Sequence, residues 1–354
     1  MEEVMNARSV SFAGKRIYIG LDVHRSFFVA TCLCDGAVVK RCRMPARAEA
    51  VITLISKYFP DSKVKTCYEA GYSGFWLHRE LEKAGISNIV VHAASIEVAA
   101  NDRVKTDKRD SLKMATQLEA GRLKGIRVPG VEEEYRRLLT RTREQLMRAR
   151  KRIQVQIRMR LHQFGLFPEK ITGVMRLKDV EAVLDTLEGE LKLTIELLYG
   201  QWVYIAGDIQ EIDKKLSEQA QEDWLEKVYR SVPGIGPLTA RMLSNELGDM
   251  TQFRNVRALY SFTGLTPSEY SSGDKVHRGH ISRQGSSRLR HMLVEAAWKA
   301  VRADEPLHDF YWSLAKRAGK KRAIVAVARK LIGRVRAAIR DKRRYEIRRH
   351  KKAA

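Results

Sequence analysis

The chain has 354 residues, enough for two or three domains that each bury a core, and it carries a net charge of +24. No apolar run approaches the roughly 18 residues of a membrane span, and the opening Met1-Glu2-Glu3-Val4-Met5 lacks a signal-peptide pattern, so a cytoplasmic protein with no membrane partner is expected. The four cysteines, Cys32, Cys34, Cys42 and Cys67, meet no second Cys or His pair of zinc spacing and read as reduced, mostly buried thiols.

Residues 1–14 read as a flexible leader. Ile17 to Leu33 is β-branched and aromatic and reads as a hairpin, with Asp35-Gly36 supplying a turn and a third strand over Val38 to Arg43. A helix follows over Ala48 to Tyr58, because Val51, Leu54, Ile55 and Tyr58 recur at helical spacing. Next come a strand over Val64 to Tyr68 ending at Glu69, a helix over Gly74 to Ala84 stopped by Gly85, and a strand over Asn88 to His92. Strands first, then strand and helix in alternation, predict an α/β sheet with helices on its faces. Thr106 is a good N-cap, and Ser111 to Leu123 is rich in helix formers. Asp107 and Asp110 then fall in the first turn of that helix, on one face.

Val128-Pro129-Gly130 breaks the chain. Beyond it, Glu132 to Phe164 predicts one long helix with a seam of Leu138, Leu139, Leu146, Ile153, Ile157 and Leu161. Helical stretches over Val174 to Leu198 and Asp208 to Lys227 can fold back on it as an antiparallel bundle or coiled coil. The turn Pro233-Gly234-Ile235-Gly236, leading into a helix over Leu238 to Leu247, matches a helix-hairpin-helix element, in which Gly234 and Gly236 let backbone amides approach a phosphate. A basic loop with His277, Arg278, His280 and Arg283 precedes a helix over Arg288 to Ala300. From Ala315 onward a basic helix carries an apolar stripe of Ile324, Val327, Leu331, Val335 and Ile339. Arg329, Lys330, Arg334, Arg336 and Arg340 lie elsewhere on it and suit nucleic acid, while Arg343 to Lys352 reads as disordered until bound. The expected domains are 15–128, 131–227, 228–315 and a basic tail, 316–354.

The charge excess has an address. Arg136 to Arg160 holds ten basic residues and one acid, Lys316 to the end holds seventeen and two, and the remainder balances. A surplus confined to two segments suits a nucleic acid, because counterions released from phosphates drive association. Against that background the acids stand out. Asp22 sits inside an apparent strand, where a charge needs a neutralising partner. Glu69 ends another strand, where open α/β sheets place their ligand crevice. If Asp22, Glu69, Asp107 and Asp110 converge, only a cation lets all four stay ionised, and oxygen ligands suit Mg²⁺ or Mn²⁺. Such a site promotes phosphoryl transfer. A serine in the basic loop can become a nucleophile toward a phosphodiester when its proton is removed and the phosphate is neutralised. The residues alone leave Ser268, Ser271, Ser272, Ser282, Ser286 and Ser287 open.

Tyr-Ile-Gly-Leu-Asp-Val-His at Asp22, Tyr-Glu-Ala-Gly-Tyr-Ser-Gly at Glu69 and Lys-Thr-Asp-Lys-Arg-Asp at Asp107 and Asp110 together resemble the DEDD tetrad of the insertion-sequence "one-ten" transposases and their Piv-type invertase relatives. Gly-Leu-Thr-Pro at Gly264, Tyr-Ser-Ser-Gly at Tyr270 and the Gly-x-x-x-Leu-Arg helix at Gly285 resemble the C-terminal signature of the same family. The resemblance spans about Tyr18 to Ala300. It implies an α/β plus all-α protein: a RuvC/RNase H-like domain holding Mg²⁺ through the tetrad, a coiled-coil linker, and a mainly helical domain whose nucleophile falls on Ser272, with Ser271 beside it as the alternative. It also implies DNA as substrate, a guiding bridge RNA and a homotetramer with shared sites. Phosphate contacts are then expected from Arg148, Arg150, Arg152, Arg158 and Arg160, and around the serine from Arg278, Arg283 and Arg288. The rival functions are a junction-resolvase-like nuclease that forms no covalent link, and a non-catalytic nucleic-acid binder.

Overall fold

The computed structural model describes residues 11–98, 106–166, 175–220, 223–273, 275, 277–282 and 284–349. The chain divides into two compact units, Met1–Pro129 and Gly130–Ala354. Lys105, Val174 and Arg283 lie outside the described residues.

In the first unit the β-branched runs form strands β1 (Arg16–Val23), β2 (Phe27–Cys34), β3 (Ala37–Pro45), β4 (Lys63–Glu69) and β5 (Ser87–Val91). They make one sheet in the order β3-β2-β1-β4-β5. The first three are antiparallel neighbours, and β4 runs parallel to β1 and β5. Asp35 and Gly36, with φ of 51° and 77°, make the tight β2–β3 turn, which requires left-handed backbone at both positions. Helices α1 (Ala48–Tyr58) and α2 (Trp76–Lys83) cover one face through Val51, Leu54, Leu77 and Leu81 against Ile17, Ile19, Leu21 and Tyr68. Helix α3 (Asp107–Glu119) covers the other, with Met114 and Leu118 against Cys67 and Val91. The expected leader over residues 1–14 does not hold at its described end: Phe12 packs on Phe59, ring centroids 5.4 Å apart. Cys32, Cys34 and Cys67 are buried free thiols, and burial pushes Cys32 and Cys67 up to about 12.

The second unit begins with α4 (Val131–Gln163), which packs along α6 (Gly189–Ala220) in the opposite direction. Arg143 meets Asp213 toward one end, and Ile157 and Leu161 share a core with Ile195 and Trp202 toward the other. On α6, Ile195, Trp202, Ile209 and Leu216 are buried, each seven residues from the last. The expected stretches Val174 to Leu198 and Asp208 to Lys227 are instead α5 (Leu177–Leu184), α6 and α7 (Trp224–Arg230). The real break is at Gly189, where φ is 57°. Gly200 and Gly207, which face open space inside α6, cost the helix only intrinsic propensity.

The rest of this unit comprises α8 (Pro237–Leu247), α9 (Val256–Phe262), a hairpin of β6 (Pro267–Glu269) and β7 (Arg278–Ile281), then α10 (Ser287–Ala303), α11 (Glu305–Ala318) and α12 (Lys320–Arg340). One apolar core runs from Val228 through Leu243, Leu293 and Leu331 to Tyr345, so the expected tail, as far as Tyr345, shares its core with 228–315. Nor is the segment after α12 loose. Tyr345 is buried, its amide donates to Ser231 Oγ at 2.8 Å, and Asp304 accepts from the Tyr345 hydroxyl and the Arg348 amide, each at 3.1 Å. Arg334 also donates to Asp304, at 2.9 Å.

Candidate functional site

Register brings the first two acids together. Leu21 pairs with Tyr68 across β1 and β4, so Asp22 and Glu69 are the next residues along two adjacent parallel strands. Leu21 and Tyr68 point into the α1/α2 core, and strand alternation therefore assigns Asp22 and Glu69 to the face covered by α3. Helix α3 lies almost in contact with β1 at Gly20, where an added Cβ would come within 2.1 Å of Ser111 O and 2.6 Å of Ala115 N. Only glycine permits that approach, and the Thr31 and Ser111 hydroxyls, 2.8 Å apart, fasten it. Thr106 caps the helix by accepting from the Arg109 amide, so the first turn presents Asp107 and Asp110.

Asp22 and Asp107 meet at His24. Its Nε2 lies 3.1 Å from Asp22 Oδ2 and 3.4 Å from Asp107 Oδ1, and donor atoms of all three residues fall within 4.8 Å of one another. Burial raises the Asp22 carboxyl above the usual carboxylate range; His24 opposes the rise, and the charges of Asp107 and Asp110 add to it. Asp110 also pairs with Lys113 at 3.6 Å. Glu69 is exposed, and its carboxylate does not belong to the tight group of three. A half-buried set of carboxylates that repel one another is a site a divalent cation would relieve. Sequence reasoning missed His24, although its place two residues past Asp22, where the strand ends, was a usable signal.

The serine loop is the tip of the β6–β7 hairpin. Ser272 and Lys275 pair through two backbone hydrogen bonds of 3.2 Å, and the Tyr270 amide donates to His277 O at 2.9 Å. The neighbouring serines differ. Ser271 Oγ donates to Glu269 Oε1 at 2.9 Å and accepts from the His277 amide at 3.2 Å. Ser272 is exposed, and its hydroxyl has no partner among the described residues. Gly264 and Gly285 hold the hairpin base, since a Cβ on Gly285 would come within 2.6 Å of Ser261 O and Phe262 O.

A family model for DEDD transposases of the IS110 type matches residues 19–166, the segment containing all four acids. The model of the IS116/IS110/IS902 transposase family matches residues 226–312, which contain the hairpin. Among curated relatives, the putative transposase y4qE of Sinorhizobium fredii is 28% identical over 75% of this chain and 73% of its own length. The transposases for insertion sequence elements IS1111A of Coxiella burnetii and IS1533 of Leptospira borgpetersenii are 26% and 27% identical, covering 88% and 89% of this chain and 86% and 93% of their own. The chain belongs to the IS110-type transposase family. It is a DNA-cutting and DNA-rejoining enzyme.

Within this transposase several expected phosphate contacts are committed to protein. Arg288 bonds Glu144 of α4 and lies 3.1 Å from Glu246 of α8. It is therefore a brace between helices. Arg148 pairs with Glu144 one turn away, Arg152 and Arg160 are exposed, and Arg150 and Arg158 are half-buried. Gly234, with φ of 83°, has the place of its missing Cβ filled by Lys299 Cβ at 2.5 Å, so its close approach is to α10. Gly236 caps α8 and faces open space. Arg278 lies in β7, and Arg283 is outside the described residues. Among the described residues, no helix is long and apolar enough to cross a membrane.

Proposed function

We propose that this transposase joins DNA through a phosphoserine link made by Ser272, with a divalent cation, Mg²⁺ or Mn²⁺, held by Asp22, Glu69, Asp107 and Asp110. The observation that carries the reading is the meeting of Asp22 and Asp107, 85 positions apart in the sequence, at one half-buried point beside a second strand-end acid. The sheet order, with β1 central and antiparallel only to β2, supports a RuvC/RNase H-like domain. The seven-residue repeat on α6 supports a coiled-coil linker, and the α7–α8 turn a helix-hairpin-helix. His24 would hold the two aspartates in place or join them as a ligand. Once bound, the cation would polarise a phosphate oxygen and steady developing charge.

The rest of the chemistry belongs to the chain. Ser272 Oγ attacks phosphorus and forms an O–P bond as the bond to the departing nucleotide oxygen breaks. Oγ loses a proton and the departing oxygen gains one, so the step is balanced without a further reactant. Attack by another DNA hydroxyl reverses it and restores the phosphodiester. Lys275, whose backbone pairs with Ser272, is suited to neutralise the phosphate. Element ends and target DNA are the substrates, a bridge RNA is the guide, with the exposed arginines of α4 as its contacts, and the working form is a homotetramer with shared sites.

Incubation with a nicked suicide duplex tests this reading. The wild type should leave a protein–DNA adduct that survives detergent, and Ser272→Ala should leave none. Wild-type cleavage by Ser272→Ala without an adduct would assign the enzyme to hydrolysis by the acidic site alone.

A further inference from the structure

Charge on the C-terminal helix is unevenly spent. Lys330 lies 4.2 Å over the Phe310 ring, Arg329 lies 4.5 Å over Tyr260, and Arg334 is tied to the buried Asp304. These hold the helix to its own domain. Arg254, just before α9, is exposed and makes no hydrogen bond or ion pair among the described residues. Arg336 uses one nitrogen on Phe253 O at 2.8 Å and keeps its other edge. Arg340 is 72% exposed and, among the described residues, pairs only with its neighbour Asp341, an exposed contact that a phosphate can replace at little cost.

These three arginines rim a cleft between α9 and α12 of about 550 Å³ whose lining includes no acidic residue. Its floor is small: Val256, Gly333 and Ala337. At Gly333 an added Cβ would come within 2.6 Å of the Tyr260 hydroxyl, so the glycine admits a phenol that can donate to a phosphate oxygen. From Lys330 to Arg340 the cleft follows α12 for about 15 Å, long enough to span successive phosphates of one strand. Guanidinium groups on the rim, a hydroxyl at the floor and an elongated outline match a sugar–phosphate backbone better than a compact anion.

We propose that the α9–α12 cleft seats the phosphodiester backbone of duplex DNA, independently of base sequence, with Arg254, Arg336 and Arg340 as its phosphate contacts. The proposal rests on the DNA-joining reading above, and its readout is separate: the adduct depends on Ser272, the salt dependence of binding on the cleft.

Fluorescence anisotropy of the full chain over a series of potassium chloride concentrations tests it, using an arbitrary duplex DNA and an RNA hairpin as probes. The variants are Arg254→Gln with Arg340→Gln, and separately Ala337→Glu, which removes no guanidinium and places a carboxylate on the floor. The double variant should lose about two from the slope of log affinity against log salt on duplex DNA. Ala337→Glu should weaken DNA binding about tenfold or more. Both should melt like the wild type. A loss on DNA at least as large as that on RNA supports the assignment. An unchanged slope and affinity, or a larger loss on RNA, overturns it.

Discussion

The sheet unit and the serine hairpin hold their reactive groups in opposite ways. In the sheet, Asp22 and Glu69 are aligned by the register of two parallel strands, and Asp107 is brought in by a helix pressed against Gly20. Moving any of them means moving a core. In the hairpin, Ser272 stands at the tip of a short ladder, its hydroxyl unpaired among the described residues. The difference implies that the acids trade activity against stability through packing, while the serine can be altered at little structural cost.

The largest effect should come from the acids. Asp22→Asn and Asp107→Asn should each lower DNA cleavage about a thousandfold, or ~4 kcal/mol of barrier. Asp22→Asn should not lower the melting temperature, because burial and the charges of Asp107 and Asp110 already disfavour its ionised form. Cleavage near the wild-type rate in either variant would remove the sheet from the chemistry.

Next comes the brace in the helical unit. Burial alone would raise the Glu246 carboxyl, but the hydrogen bonds and charge of Arg141, with Arg137 and Arg288, hold it below the usual carboxylate range. Arg141 grips it with two bonds of 2.9 Å. Glu246→Gln should cost about 3 kcal/mol, because it leaves guanidinium groups without their counter-charge. The sign with pH follows. A folded value below the unfolded one means that ionised Glu246 stabilises the protein at neutral pH. That stability fades as pH falls through the folded value. Urea melts of the two proteins should therefore converge on acidification, and a constant gap would argue against the brace.

What the sequence made legible follows the same divide. Alternation and helical spacing gave α1 its bounds of Ala48 and Tyr58, and Thr106 located the first turn of α3, because capping and periodicity are local. The partners of Arg288 were illegible: Glu144 and Glu246 lie 144 and 42 residues away, and nothing in a basic run says which of its members are already paired. The docking of Tyr345 on Ser231 and Asp304 was hidden for the same reason, under a stretch whose charge reads as disorder. His24 and Gly20 fall between these cases. Each is one residue that spacing marks and that only α3 explains.

Gly20→Ala sharpens the comparison at smaller scale. The new methyl would overlap backbone atoms of α3, which cannot rotate away, so the helix must shift. The expected cost is about 2 kcal/mol, with a matching loss of cleavage because Asp107 moves with the helix. Denaturant melts and the cleavage assay on one preparation should fall together. A stable but inactive variant would mean that α3 keeps its seat and the acids fail for another reason.

The smallest expected effect is the most informative about the hairpin. Ser271→Ala removes the hydroxyl that bridges Glu269 and the His277 amide, both exposed contacts, so stability should change by less than about 1 kcal/mol. If Ser272 is the nucleophile, the adduct should still form, only a few-fold more slowly as the tip loosens. If Ser271 carries the chemistry, the adduct disappears, and its bonds to Glu269 and His277 become an activated resting state instead of a scaffold. Mass spectrometry of the trapped peptide should find the nucleotide on Ser272 in both proteins. The adjacent hydroxyls thus separate a residue held to shape the loop from one left free to react.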